Sequence, residues 1–88
     1  MTDCSVTVVN ALGLHARAAA RFVKLAGEFQ SHIKVARGSR ITDGKSILGL
    51  LLLAAARGTR LIISADGTDE SAAVSALCAL VERGFEES

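Results

Sequence analysis

Near the start of the chain Val6 and Val8 alternate with Ser5, Thr7 and Val9, the two-residue period of a strand with one buried face. Asn10 to Leu14, with Gly13 inside it, reads as a loop, and Ala16 to Leu25 follows as a helix. There Ala19, Phe22, Val23 and Ala26 recur at the three- and four-residue intervals of one buried stripe, Gly27 is its stop, and Arg17, Arg21 and Lys24 share the opposite face. His32 to Ala36 alternates around Ile33 and Val35, Gly38 supplies a turn, and Arg40 to Asp43 returns as the second arm of a hairpin. Ser46 is an N-cap for a second helix predicted over Ile47 to Ala56, ended by Gly58. Arg60 to Asp66 is a further strand, and Thr68 or Asp69 starts a last helix with the stripe Ala73, Val74, Leu77, Cys78, Leu80 and Val81. It ends at Gly84, with Phe85 folding back over it.

The resulting order, β-α-β-β-α-β-α, predicts an α+β sandwich of two layers, with helices over one face of a mainly antiparallel four-stranded sheet. A chain of 88 residues is one domain, 1–88, because it is too short to build two separate cores. Half of it is hydrophobic, which excludes disorder. Cys4 and Cys78 show no paired spacing and read as two free thiols suited to a reducing cytosol, Cys78 filling the core, with a disulfide as the alternative. The opening residues lack the pattern of a secretory leader, and the apolar run Ile47 to Ala56 is about half of the roughly 20 residues needed to span a bilayer. Both point to the cytoplasm.

Charge narrows the range of partners. Ten Lys and Arg against nine Asp and Glu are too balanced for phosphate-driven nucleic-acid binding, and three Phe as the only aromatics give no base-stacking platform. The cations are concentrated in the first half, at Arg17, Arg21 and Lys24 among others. Like charges on one helical stripe repel, so an acidic partner explains that stripe better than solvation does. The run Ile47-Leu48-Gly49-Leu50-Leu51-Leu52-Leu53 is apolar nearly all round. Leu50 and Leu53 can face the core, whereas Leu48, Leu51 and Leu52 cannot all be buried with them. An apolar patch beside a cationic stripe suits a transient docking surface.

The candidate chemistry lies in Gly13-Leu14-His15-Ala16-Arg17-Ala18-Ala19. His15 stands where a glycine-containing loop enters a helix, beside unpaired N–H groups and the positive end of the helix dipole. A neutral imidazole there is a nucleophile, and a phosphoryl group placed on it would meet those N–H groups and the Arg17 guanidinium. On spacing alone, the ordinary reading is favoured, His15 as a helix-start residue and Arg17 as a solvated charge, since His-x-Arg is common. His32, next to Lys34 and without a second ligand at metal spacing, reads as exposed and without function; no metal site or cofactor is expected.

Gly13-Leu14-His15-Ala16-Arg17, with Phe22-Val23 after it, resembles the active-site signature of the histidine-containing phosphocarriers (HPr and NPr) of the phosphoenolpyruvate-dependent phosphotransferase system. The resemblance continues through Gly44-Lys45-Ser46-Ile47, Gly58-Thr59 and Ile63-Ser64-Ala65-Asp66-Gly67, across essentially the whole chain. It departs at Ala18, where the family usually has proline. Alanine favours helix, so the first turn is expected to persist with a looser start and an altered transfer rate.

The resemblance implies sheet order 1-4-2-3, and His15 accepting phosphate on Nδ1 from phosphorylated Enzyme I and passing it to a IIA-type acceptor in sugar uptake or nitrogen regulation. Arg17 would stabilise the phosphate, and Ala20, Arg21, Lys24, Ile47, Leu48 and Leu51 would contact partners. It also implies a monomer that transfers phosphate without net turnover, and so is no enzyme, and possible regulation at Ser46 by an HPr kinase/phosphorylase. Ser46 is otherwise explained as a helix cap. The rival is a small regulatory binding module in which His15 is structural.

Overall fold

The computed structural model describes residues 1–86. β1 (Thr2–Thr7), α1 (Ala16–Ala26), β2 (His32–Arg37), β3 (Arg40–Asp43), α2 (Ile47–Leu52), β4 (Arg60–Asp66) and α3 (Glu70–Glu82) follow in order, and a 3₁₀ turn over Gly84–Glu86 closes the described chain. The strands form one antiparallel sheet in the order β1-β4-β2-β3, so the expected fold class and order are those observed. Thr7 opposite Arg60 in β1–β4, and Val35 opposite Ile63 in β2–β4, set a register in which Val6, Ile33, Val35, Leu61, Ile63 and Ala65 all point under the helices. A shift of one residue would turn each of them out to water. Against that face pack Ala18, Ala19, Phe22 and Ala26 of α1, Leu50 of α2, and Ala73, Val74, Leu77, Leu80 and Val81 of α3. Phe85 folds back into the same core, as expected.

Two features differ from the sequence reading. α2 ends at Leu52, not at Ala56, and Ala54 follows in a left-handed conformation, φ 52°. Its terminal carbonyls are taken by the hairpin: Arg37 Nη1 donates to Leu53 O at 2.6 Å and Arg40 Nη1 to Leu52 O at 3.1 Å. Guanidinium capping of this kind satisfies acceptors that a continuing helix would have used itself. The freed segment, residues 53–57, then serves the loop that carries His15, as described below. The second difference concerns the cysteines. Cys4 of β1 and Cys78 of α3 do not stand as separate thiols; they are joined as a disulfide, with Cα atoms 7.0 Å apart. Both lie on the half-buried margin of the core, where α3 crosses β1. They stand 74 positions apart in sequence, and only the packing of last helix on first strand brings them together.

Both N-terminal residues of the last helix tie it to distant chain. Asp69 precedes α3 as expected but makes no side-chain cap; its carboxylate accepts instead from Ser31 Oγ, from Gln30 N–H at 2.8 Å and from Ser31 N–H at 3.0 Å. Glu70 accepts from Thr2 Oγ1 at 2.6 Å, pairs with the Met1 amine at 3.1 Å and accepts from Gly67 N–H at 3.2 Å. The Thr2 hydroxyl first, then the Met1 amine and the Gly67 N–H, hold the Glu70 carboxyl at about 2; Ser31 and Gln30 lower that of Asp69.

Each group is more acidic folded than unfolded. The stability they contribute is therefore complete above the ordinary carboxylate range and is lost as pH falls from about 4.5 towards about 2. Thermal midpoints across that range should fall for the wild type, and Glu70→Gln should be less stable at neutral pH and show a shallower acid decline. Identical acid slopes in the two proteins would remove Glu70 from this account.

Candidate functional site

The loop that presents His15 is built by backbone hydrogen bonds to the segment after α2. Val8 extends the β1–β4 ladder, donating to Thr59 O at 2.9 Å and accepting from Gly58 N–H at 2.7 Å. The chain then turns over Asn10 to Gly13, closed by Gly13 N–H to Asn10 O at 3.1 Å, and Leu14 N–H donates to Ala55 O at 2.8 Å. Gly13 has φ +67°, and a Cβ on it would stand 2.5 Å from Ala55 O and 2.9 Å from Ala56 Cα. Left-handed backbone and close approach together require glycine there. Leu14 anchors the loop in the core.

His15 is the N-cap of α1, with extended backbone (φ −87°, ψ −178°), and its carbonyl accepts the first intrahelical bond, from Ala19 N–H at 2.8 Å. Its Nδ1 accepts from Arg17 N–H at 3.3 Å, so the lone pair of Nδ1 faces the start of the helix. In the neutral ring the proton then sits on Nε2. That capping bond is long, and a better acceptor could replace it. The first turn carries no acidic residue to compete with an incoming anion. His15 is half-exposed, and Arg17 two residues on is fully at the surface. Ala18, at the departure from the usual proline, is completely buried under the first turn of a regular helix.

Around this centre the predicted residues divide. Ala20 and Lys24 are exposed on α1, whereas Arg21 is half-buried and its Nη1 donates to Phe85 O at 2.6 Å, tying α1 to the C-terminal turn. Arg17, Arg21 and Lys24 thus do not form a uniform stripe of projecting cations. α2 packs on α1, and Ile47, Leu48 (67% exposed) and Leu52 (64%) project from it, with Leu51 half-buried and Leu50 and Leu53 in the core. Ser46 caps α2 as expected, its Oγ accepting from Gly49 N–H at 3.0 Å. His32 lies exposed on the open face of the sheet, on a different element from His15.

Four residues escaped sequence reasoning. Leu12, 73% exposed, presents an apolar side chain in the turn just before Gly13. Its signal was a large hydrophobe in a turn. Asn10 is buried beneath that turn, and Arg37 with Arg40 fixes where α2 stops, which no local pattern foretells.

A half-exposed imidazole whose Nδ1 lone pair faces an unacidic helix N-terminus, with an exposed arginine two residues on, in an open-faced sandwich, is an arrangement suited to carrying a phosphoryl group. The chain matches the family described as "PTS HPr component phosphorylation site" over residues 2–83. It is 45% identical to the phosphocarrier protein HPr of Cupriavidus necator over 87 residues, covering 99% of this chain and 98% of that one. Against the phosphocarrier protein NPr of Shewanella violacea it is 42% identical over 83 residues, 94% of this chain and 91% of the other. The crystal structure of HPr-C-His from Thermoanaerobacter tengcongensis superposes with a TM-score of 0.95 at 39% identity, covering 100% of this chain and 99% of that one. The chain belongs to the HPr family: it is a phosphocarrier of the phosphotransferase system, and not itself an enzyme.

The loop geometry gives a direct expectation. Gly13→Ala should lower stability by at least about 1–2 kcal/mol, the usual penalty of left-handed backbone for an L-residue, because Ala55 and Ala56 present backbone that cannot rotate away. Urea unfolding measures it; an unchanged midpoint would mean that the turn re-forms without its contact to residues 55–56.

Proposed function

We propose that His15 is the phosphoryl acceptor and that Nδ1 is the attacking atom. The observation that carries this reading is the Nδ1 lone pair directed at the N-terminus of α1. Phosphorylated Enzyme I is the donor in this reading. As the Nδ1–P bond forms, the bond from phosphorus to the donor breaks, and the Arg17 N–H that capped the ring becomes a donor to a phosphoryl oxygen. Neighbouring first-turn N–H groups and the Arg17 guanidinium share the added charge. A carrier needs modest stabilisation so that the group can leave again, and one arginine with one helix end supplies that amount. Transfer to a IIA-type acceptor reverses the geometry. The setting of this exchange is the cytoplasm, with the carrier acting as a monomer; among the described residues no helix is long and apolar enough to cross a membrane.

Partners would dock on Ala20, Arg21, Lys24, Ile47, Leu48 and Leu51, and the exposure of Leu12 and Leu52 supports including them. In this reading, side chains of two helices and the active loop offer an apolar patch edged by cations, which supports a short-lived complex with an acidic surface. Arg21 acts in this surface through its hold on the C-terminal turn as well as through its charge.

His15→Ala should abolish phosphate acceptance and keep the fold, since the ring supplies little core packing. Arg17→Ala should slow acceptance by an amount worth about 1–3 kcal/mol, the range for losing a charge-assisted hydrogen bond. Label retained by folded His15→Ala would place the acceptor elsewhere. Transfer from Enzyme I should also slow with salt, as the screening length shrinks from about 10 Å at 0.1 M to about 3 Å at 1 M, and Lys24→Glu should mimic the loss. A rate flat with salt and unchanged in Lys24→Glu would eliminate steering.

Ser46 is assigned a regulatory role on the same surface. Its hydroxyl caps α2 immediately before Ile47 and Leu48, so a phosphate or Asp there would keep the cap while placing negative charge against an acidic partner. Ser46→Asp should hold or raise the thermal midpoint, a helix-end charge contributing roughly 0.3–1 kcal/mol, and lower the transfer rate. An unchanged rate would leave Ser46 as a cap only.

A further inference from the structure

We infer that Asn10 is a positioning residue for phosphoryl transfer, holding His15 in its attacking geometry through the carbonyl of Gly13. The inference rests on His15 being the acceptor. Asn10 is only 8% exposed, an unusual place for an amide side chain at the end of a strand. Its Nδ2 donates to Gly13 O at 2.7 Å, and the same oxygen accepts from His15 N–H at 3.0 Å. One carbonyl is thus held from two sides, by a buried side chain and by the backbone of the nucleophile itself.

The need for such a hold follows from Gly13. Its left-handed φ of +67° is what lets the turn approach Ala55 and Ala56, and glycine is also the residue at which a peptide plane rotates at least cost. A rotation of the Gly13–Leu14 peptide would release His15 N–H and turn the ring off the helix N-terminus. Leu14 N–H to Ala55 O fixes one side of that plane, and the Asn10 amide fixes the other. Gly84 lies over Asn10, where an added Cβ would stand in ordinary contact 3.4 Å from Asn10 Cβ, and the amide is held by its burial and by its bond to Gly13 O. A buried side chain hydrogen-bonded to the backbone beside a reactive residue is what preorganisation requires.

Asn10→Asp keeps the shape but sets an oxygen against the Gly13 oxygen, and Asn10→Ala removes the donor. At a temperature where amide spectra show each variant folded, both should lower kcat for phosphorylation by Enzyme I tenfold or more. KM for phosphorylated Enzyme I should remain within about twofold, because the docking side chains are untouched. Ser31→Ala is the control: it deletes another buried polar side chain, one bonded to Asp69 in a different loop, and should cost stability without lowering kcat. A kcat within twofold of wild type in both folded Asn10 variants, a loss confined to KM, or an equal loss in Ser31→Ala would overturn the inference. Should neither variant fold, relaxation dispersion at the Leu14 and His15 amides of the wild type decides: flat profiles are expected, and exchange there would overturn it. Phosphate acceptance by His15→Ala would instead defeat the reading beneath, whatever the Asn10 variants do.

Discussion

The short run of backbone hydrogen bonds between residues 8–14 and residues 55–59 is the constraint on which the rest of the molecule depends. Through it the end of β1, the loop before α1 and the approach to β4 become one unit, and His15 is delivered to the first turn of a helix whose buried face, Ala18, Ala19, Phe22 and Ala26, fixes that helix on the sheet. It also explains why α2 is short. Had the helix run on through Ala55, the backbone of residues 55 and 56 would have followed the helix and the close approach of Gly13 to Ala55 and Ala56 would have been lost. Arg37 and Arg40 relieve the carbonyls left at the helix end, so the β2–β3 hairpin bears indirectly on the geometry of the reactive loop.

This construction reconciles rigidity with accessibility. A carrier must meet one partner to receive and another to give, so its reactive atom has to stand at the surface. It must also be held in place without a pocket that would impede departure of the group. Here the fixed parts lie beneath: Leu14 in the core, Asn10 under the turn, Ala18 beneath the helix start. His15 is half-exposed and Arg17 stands at the surface, and Leu12, Leu48 and Leu52 are exposed as well. In the proposed reading, recognition is separated from transfer, since docking side chains can vary while the loop geometry stays the same.

Much of this was legible in the chain because period and punctuation agree. Alternation around Val6, Ile33, Val35 and Ile63, and three-four spacing around Phe22 and Leu77, place the same side chains inward in sequence and in structure. The leucine run of the second helix divides as its pattern requires, Leu50 and Leu53 inside and Leu48 and Leu52 outside. What was not legible depends on contacts between distant segments. The end of α2 is set by two arginines from a hairpin, the Asp69 carboxylate before α3 bonds another loop and leaves its own helix uncapped, and Cys4 meets Cys78 only because the last helix lies over the first strand. Arg21 belongs to this group as well: helical spacing assigns it to an exposed stripe, and its bond to Phe85 O draws it towards the C-terminal turn. Local propensity does not encode such long-range competition for hydrogen-bonding groups.

The central claim is that the Nδ1 lone pair of His15, held over the N-terminus of α1, is where phosphate is carried. Phosphorus–nitrogen correlated NMR of the isotopically labelled protein, recorded after incubation with phosphorylated Enzyme I, tests it most directly. The account predicts one acid-labile phosphorus coupled to Nδ1 of His15, with the amide signals of Ala16, Arg17 and Ala18 shifting as their N–H groups turn to the phosphoryl oxygens. Coupling to Nε2, or a phosphohistidine at His32 with the first turn of α1 undisturbed, would contradict it.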